Sequence, residues 1–302
     1  MNGTPSGRPY HEGSLAVQTR VGVRELADHV GRSIGHGIRP VAAAFLELQP
    51  MLVIGAADAE GRVWSSLLTG EPGFVRATGP ASVSVAAGPD GRPTAAGDPL
   101  AGTLAAGPVR VGTIALDPRT RRRMRLNGTA RPSRRGLAIV ADEVFSNCPK
   151  YLQKRELYAP DTTTPPGPVR HGDRLTPEQE AFVRAADTFF VTTVGPDGAD
   201  ASHRGGNPGF VSVDSPTELT WPDYQGNAMF LTLGNLETDA RAGLLFLDWA
   251  TGTTLQLTGT ARTDYTATGR TVRFTVQRSV EHPHAAPLRW SAPEYSPANP
   301  PA

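Results

Sequence analysis

Residues Gly112–Arg131, GTIALDPRTRRRMRLNGTAR, and residues Gly243–Arg262, GLLFLDWATGTTLQLTGTAR, carry one pattern twice. Each reads glycine, apolar strand, aspartate, turn, second strand, Gly-Thr-Ala-Arg, at an offset of 131 positions (243 − 112). A second pair of anchors, Pro72-Gly73-Phe74-Val75 and Pro208-Gly209-Phe210-Val211, is offset by 136 (208 − 72), so the two registers differ only by a short loop deletion. Two strands joined by a turn, recurring at a near-constant spacing, imply one β unit built twice. Chance likeness between two unrelated β domains is the alternative.

Composition narrows the class. A chain of 302 residues has room for two modest domains. Gly (33) and Pro (28) set among short apolar runs point to strands with many turns. A net charge of +1 argues against bulk electrostatic binding of nucleic acid and leaves room only for a local basic patch. No stretch has the apolar length of a membrane span, and MNGTPSGRPYHEG lacks an apolar signal core, so a cytoplasmic location is expected. With Cys148 alone, no intramolecular disulfide or multi-cysteine metal site can form. His282-Pro283-His284 has no carboxylate or cysteine companions, and no metal is expected. Hydrolase elbows, phosphate loops and His-Glu-x-x-His are absent from the sequence.

Local signals place the elements. The first ten or so residues read as loose, Val23–Ile34 as a short amphipathic helix and Val41–Leu48 as a second. Met51–Ala57, a polar turn at Asp58–Gly61 and Arg62–Leu68 form a hairpin signal. Thr176-Pro177-Glu178-Gln179 has the cap, first-turn proline and capping-box glutamine of a helix start, running to about Ala186. Strands follow at Phe189–Val194 and from Asp200. Pro149 is expected to open a short helix after Cys148. The Pro-rich tail should pack through Leu288, Trp290 and Tyr295 and then fray. The expected domains are 10–157, a linker at 158–174, 175–282, and the tail 283–302.

Several segments together carry a family resemblance. In the second half these are DASHRGGNPGFV (200–211), WPDYQGNAMFLTLGN (221–235) and residues 241–262. In the first they are His11-Glu12-Gly13, residues 61–75, 120–128 and NCPKYLQKR (147–155). In this order they resemble the pyridoxamine 5'-phosphate oxidase superfamily of FMN-binding split barrels, in its two-barrel actinobacterial-type form, over nearly the whole chain. In longer relatives a tail like LRW…YSPANP leads into a reductase module, and this sequence has neither its Cys-rich segment nor a Gly-rich dinucleotide fingerprint. The resemblance implies a mainly β fold: tandem FMN-binding split β-barrels with a few peripheral helices.

It also implies a cofactor, FMN, and a set of contacts. Ser202, His203, Arg204 and Gly205 end a strand where hydroxyl, backbone amide and the planar guanidinium fork suit a phosphate; a surface arginine in a turn is the plain alternative. Relatives often carry proline at the position of His203. Asp223, Tyr224, Gly226 and Asn227 lie in a turn-rich stretch, otherwise an ordinary hairpin loop. In TRRRMR (120–125), a period of two puts Arg121, Arg123 and Arg125 on one face. Arg125 aligns with Gln256, and Arg123, Arg125 and Gln256 are candidate flavin contacts, a solvated charge run being the alternative. Lys150 is a candidate for the flavin phosphate. Cys148 reads better as a small apolar residue than as a nucleophile.

The halves are complementary. SHRGG and DYQGN stand in the second, the Arg-rich strand and NCPKY in the first, so one complete pocket per chain is expected, its pseudo-symmetric counterpart being degenerate. The expected function is FMN-dependent redox chemistry on a small molecule, with NAD(P)H or a separate reductase as electron donor. The chain is read as an intrachain pseudo-dimer that can also pair with a second copy, without nucleic acid or membrane as partner. A flavin carrier or sensor, and a split barrel holding deazaflavin or haem, are the alternatives.

Overall fold

The computed structural model describes residues 9–88, 90–267 and 269–301. The expectation of a loose amino terminus falls, for residues 1–8, outside them. Helices α1 (Glu12–Val21), α2 (Arg24–Gly31) and α3 (Pro40–Glu47) precede a first set of strands. These are β1 (Met51–Ala57), β2 (Val63–Thr69), β3 (Val75–Gly79), β4 (Ser82–Ala86), β5 (Val109–Asp117), β6 (Arg122–Ser133) and β7 (Gly136–Ser146), with α4 (Ala101–Ala106) between β4 and β5. After β8 (Arg170–Gly172) and α5 (Pro177–Ala185) come β9 (Thr188–Gly195), β10 (Gly198–Gly205), β11 (Ser212–Ser215) and β12 (Glu218–Pro222). They are followed by α6 (Leu231–Thr238), β13 (Arg241–Leu247), β14 (Thr254–Thr266) and β15 (Gly269–His282).

The strand orders are β2-β1-β5-β6-β7-β4-β3 and β10-β9-β13-β14-β15-β12-β11, the same path walked twice, with β8 added to β15. Even the irregularities repeat: the ladder slips at Asn127/Gly128 and at Thr258/Gly259, positions one offset apart. The Pro-Gly-Phe-Val anchors explain themselves. Gly73 and Gly209 have φ of 93° and 88°, open to glycine at no steric cost, and turn the chain into β3 and β11. The chain is therefore mainly β, two tandem split barrels with peripheral helices. Each barrel has its own apolar core, one built on Leu52, Ile54, Val85 and Ile139, the other on Phe189, Trp221, Phe246 and Phe274.

A third cluster, including Met51, Val53, Ile114, Phe190, Ala201 and Leu245, joins the barrels. The glycine that opens each long repeat sits at this seam. A Cβ on Gly112 would lie 2.5 Å from the Ala201 nitrogen, and one on Gly243 2.5 Å from the Val63 carbonyl, so the contact is reciprocal about a pseudo-two-fold axis. The Ser65 and Thr192 hydroxyls bond across the same seam at 2.6 Å.

The Thr176 capping box forms in full. Elsewhere the sequence expectations need correction. Helix α1 was missed because it has no apolar stripe: it buries Gly13, Ser14, Val17 and Gln18 by close backbone approach to Gly234 of α6. His11 caps α1 and bonds Asn235 at 2.8 Å. No helix follows Cys148; the segment turns, with Tyr151 at φ 63°. Pro222–Asn227 leads into α6, not into a strand. Tyr295 is exposed, while Leu288 and Trp290 are buried. The tail does not fray after it, since the Asn207 amide donates to the Pro300 carbonyl and Asn299 bonds both Gln153 and Asn207. Residues 158–167 lie along the tail, with Tyr158, Asp161 and Gly167 amides donating to the carbonyls of Arg289, Pro287 and Pro283, and residues 170–172 pair with β15 as β8. Among the described residues no helix is long and apolar enough to cross a membrane.

Candidate functional site

A pocket open to solvent lies where the two halves meet. It is walled by β6 and the Asn147–Tyr151 turn from the first half, and by β10 and residues 222–233 from the second. Ser202, His203, Arg204, Gly205, Asp223, Tyr224, Gly226, Asn227, Arg123, Arg125 and Lys150 all line it. Gln256 does not; it stands at the pseudo-symmetric position. Arg121 leaves the shared face expected for it, because β6 begins at Arg122 and Arg121 lies in the preceding turn at φ 53°, bonded to Leu152, Glu294 and Tyr295.

Three guanidiniums converge. Arg125 is buried and ion-pairs with Asp200, whose other oxygen accepts from Asn127 at 3.0 Å. Asn127 also donates to Glu143, whose carboxyl burial pushes up. Arg204 donates to the Ser202 hydroxyl at 2.7 Å and stands 4.0 Å from Asp223. Asp223 is held more closely by Arg270, at 2.9 Å. Arg123 has no carboxylate partner among the described residues; it donates to the Cys148 carbonyl and to His203 Nδ1, both at 2.6 Å. Burial, then repulsion from Arg204 and Arg125, pulls the Arg123 guanidinium down to about 10, so it stays charged at neutral pH. Burial likewise lowers Arg204.

The Arg123 bond fixes the state of His203. A guanidinium can only donate, so Nδ1 accepts and the proton sits on Nε2. Burial, then Arg123 and Arg204, hold the imidazole well below its usual range, hence neutral. Three donors, His203 Nε2, Arg123 Nε and Arg125 Nε, are buried without a hydrogen-bond partner, as is one acceptor, Asn147 Oδ1. Unsatisfied buried donors are costly, and several at one pocket mark a place for an acceptor-rich, anionic ligand.

The other wall is aromatic and apolar. Tyr151 and Tyr224, one from each half, stand with ring centroids 5.0 Å apart, and Tyr151 donates to the Gln225 carbonyl. Phe210, Met229, Phe230 and Ile114 complete it. Ala228 and Phe230 have φ of 63° and 55°, strained for residues with side chains, and bend the chain so that the first turn of α6 faces the pocket. Lys150 is exposed at the rim and Cys148 half-buried.

Sequence reasoning missed Asp200, Asn127, Tyr151, Met229 and Phe230. Asp200 carried a signal, an acid amid the apolar alternation of a strand. The others carried none without knowledge of which strands face each other.

At the pseudo-symmetric position Thr254 and Gln256 replace Arg123 and Arg125, and Leu67 and Leu68 replace His203 and Arg204. Gln256 Nε2 donates to the Ser65 carbonyl, the Ser66 hydroxyl and Asp98 Oδ2 at 2.9–3.1 Å. Asp98 also accepts from the Ser66 hydroxyl and the Leu100 amide. A carboxylate of the chain itself satisfies the donors there. His282 and His284 form no metal cluster, and none exists among the described residues.

No curated protein matches the chain. Among solved structures it is similar to a Clostridium acetobutylicum protein related to general stress protein 26, of the pyridoxinephosphate oxidase family (14% identity, 38% of this chain and 91% of that one, TM-score 0.26). It is also similar to an FAD binding protein from Mycobacterium smegmatis (13%, 38% and 98%, TM-score 0.26) and to HupZ of Group A Streptococcus (15%, 34% and 89%, TM-score 0.27). The family model for pyridoxamine 5'-phosphate oxidase matches residues 175–288, from the start of α5 through the end of β15 and into the tail. That match places the second barrel, which bears Ser202, Arg204 and Asp223, in the pyridoxamine 5'-phosphate oxidase superfamily.

Proposed function

We propose that the chain binds one FMN in the pocket between its barrels and uses it for redox chemistry on a small molecule. The observation that carries this reading is the surplus of buried donors: Arg123 without a carboxylate, Arg125 and His203 with unpartnered nitrogens, facing a wall of aromatic and apolar side chains. A phosphate is a fit for the first, a planar ring for the second. Arg204, Arg123 and Ser202 would hold the phosphate, with Lys150 at the rim. His203, neutral with its proton on Nε2, would donate to an acceptor of the ligand without adding charge. The Tyr151–Tyr224 pair would shield the bound group from water.

Bound flavin supplies the electron or hydride transfer, so no side chain need act as acid or base. The chain's own contribution is to bind, orient and dry the site.

The test is a titration of the purified chain with FMN, FAD and riboflavin, read by visible absorption and flavin fluorescence. One FMN per chain is expected, with NAD(P)H-dependent bleaching of the visible band. A chain that takes up no flavin, shows a haem spectrum or binds two equivalents overturns the reading. Flavin that binds but is never reduced would make it a carrier.

A further inference from the structure

We propose that the outer face of the first barrel is a docking surface for a protein partner that presents carboxylates around an apolar spot. The duplication supplies an internal control. One rung of the first sheet runs Arg131 on β6, Ala138 on β7, Ser84 on β4 and Arg76 on β3. The equivalent rung of the second runs Arg262, Arg273, Thr220 and Ser212. Leu137, Ile139 and Ala141 are buried while Ala138 and Val140 are exposed, so these rungs face out.

In the second barrel the arginines are neutralised where they stand. Arg262 meets Asp264 at 3.3 Å, and Arg273 meets Asp214, Asp264 and Glu218 at 3.3–3.8 Å. In the first barrel nothing neutralises them. Arg76, Arg131, Arg134, Arg135 and Arg92 form no ion pair among the described residues, and all five are exposed. Arg131 and Arg76 stand at the two ends of one rung, with Ala138 and Ser84 between them. Arg134 and Arg135 tip the β6–β7 hairpin, and the Arg135 and Arg92 carbonyls accept from the adjacent Ala87 and Gly88 amides. Asp90, the exposed acid at this end, forms no ion pair among the described residues and accepts from the Arg92 amide. The imbalance extends to whole halves: residues 1–157 hold 20 Lys and Arg against 13 Asp and Glu, residues 158–302 hold 10 against 16.

The face selects its occupant. Val140, 52% exposed, and Ala138 lie among the arginines, with Ser82 and Ser84 beside them. An apolar centre inside an arginine-rich polar rim is the layout of a protein interface. Single-stranded nucleic acid needs aromatic stacking on such a sheet, and the outward positions of β6, β7, β4 and β3 hold no aromatic residue. A membrane anchor needs apolar tips, and the hairpin tip is Arg134-Arg135.

Two short acidic peptides are titrated against the full chain by fluorescence anisotropy, one of glutamates alone, one with leucines set between glutamates. Duplex DNA and phosphatidylserine vesicles are run beside them. The leucine-containing peptide should bind tightest and weaken as salt is raised from about 50 to 200 mM. The triple variant Arg76→Glu, Arg131→Glu, Arg135→Glu should weaken it by about tenfold or more. Val140→Ser, which leaves every arginine in place, should weaken it too, and Arg262→Glu on the neutralised face should not. Equal or tighter binding of the glutamate-only peptide, DNA or vesicles overturns the proposal. So does an unchanged affinity in the triple or Val140→Ser variant, or an equal loss in Arg262→Glu. The readout involves no flavin, so this inference and the cofactor reading can fail separately.

Discussion

Between β6 and β10 the chain places Arg123, Arg125, His203 and Arg204; between β14 and β2, on the same backbone path, it places Thr254, Gln256, Leu67 and Leu68. The first set leaves buried donors unsatisfied. The second set closes on Asp98, an acceptor the chain supplies itself. Two identical subunits related by a true two-fold axis could not differ in this way, because each substitution would appear in both pockets. Joining the copies in one chain lets one pocket keep its cations and the other become part of the core. The comparison also separates two uses of a buried polar cluster, one set up for an absent partner and one complete without it.

The largest expected break in the comparison is in stability. Arg125→Ala leaves Asp200 buried without its cation and should cost about 3–5 kcal/mol. Gln256→Ala removes an uncharged donor and should cost about 1–3 kcal/mol. Urea unfolding followed by fluorescence measures both. Equal losses would mean that the two clusters do the same structural work.

Asp98 gives the second pocket a pH response. Burial raises its carboxyl to about 6 from 3.8. The folded state then holds the proton more tightly than the unfolded one, so this contribution is complete below pH 3.8 and is lost as pH rises through 6. The loss is at most about 3 kcal/mol. Asp98→Asn should remove this fall between about pH 4 and pH 7, leaving a flatter stability profile than wild type. Parallel profiles for the two proteins would show Asp98 to be solvated.

The smallest effect concerns the ligand. Arg204→Ala should weaken FMN by about ten- to a hundredfold, the value of one charge-assisted hydrogen bond, and leave riboflavin nearly unchanged. Arg204→Lys should recover part of the loss, keeping charge without the fork. Leu68→Ala, at the equivalent position, should leave FMN affinity where it is. An equal loss for FMN and riboflavin would reassign Arg204 to the fold or the ring.

The duplication and several of the strands were legible because glycine, proline and alternating apolar residues record backbone demands locally. The alternation in RRRMR separated Arg123 and Arg125 from Met124 correctly, but it failed at Arg121, one residue before β6 begins. Charge partners were not legible. Asp200 meets Arg125 across 75 positions, and Tyr151 meets Tyr224 across the seam, contacts that only the packing of two sheets creates. Pro149 misled for a simple reason: it suits the first turn of a helix and equally a bend, and the positive φ of Tyr151 decides for the bend.

Helix α1 packs chiefly against the second half, touching only α2 and a small apolar cluster in its own. It rests on α6, and His11 reaches Asn235 across 224 positions. During synthesis at about 5–20 residues per second, the helix leaves the ribosome roughly 10–45 s before the surface it covers. It carries too small an apolar face to hold its shape meanwhile. This early segment is thus among the last to settle, and its docking clasps the first barrel to the second only once both have been made.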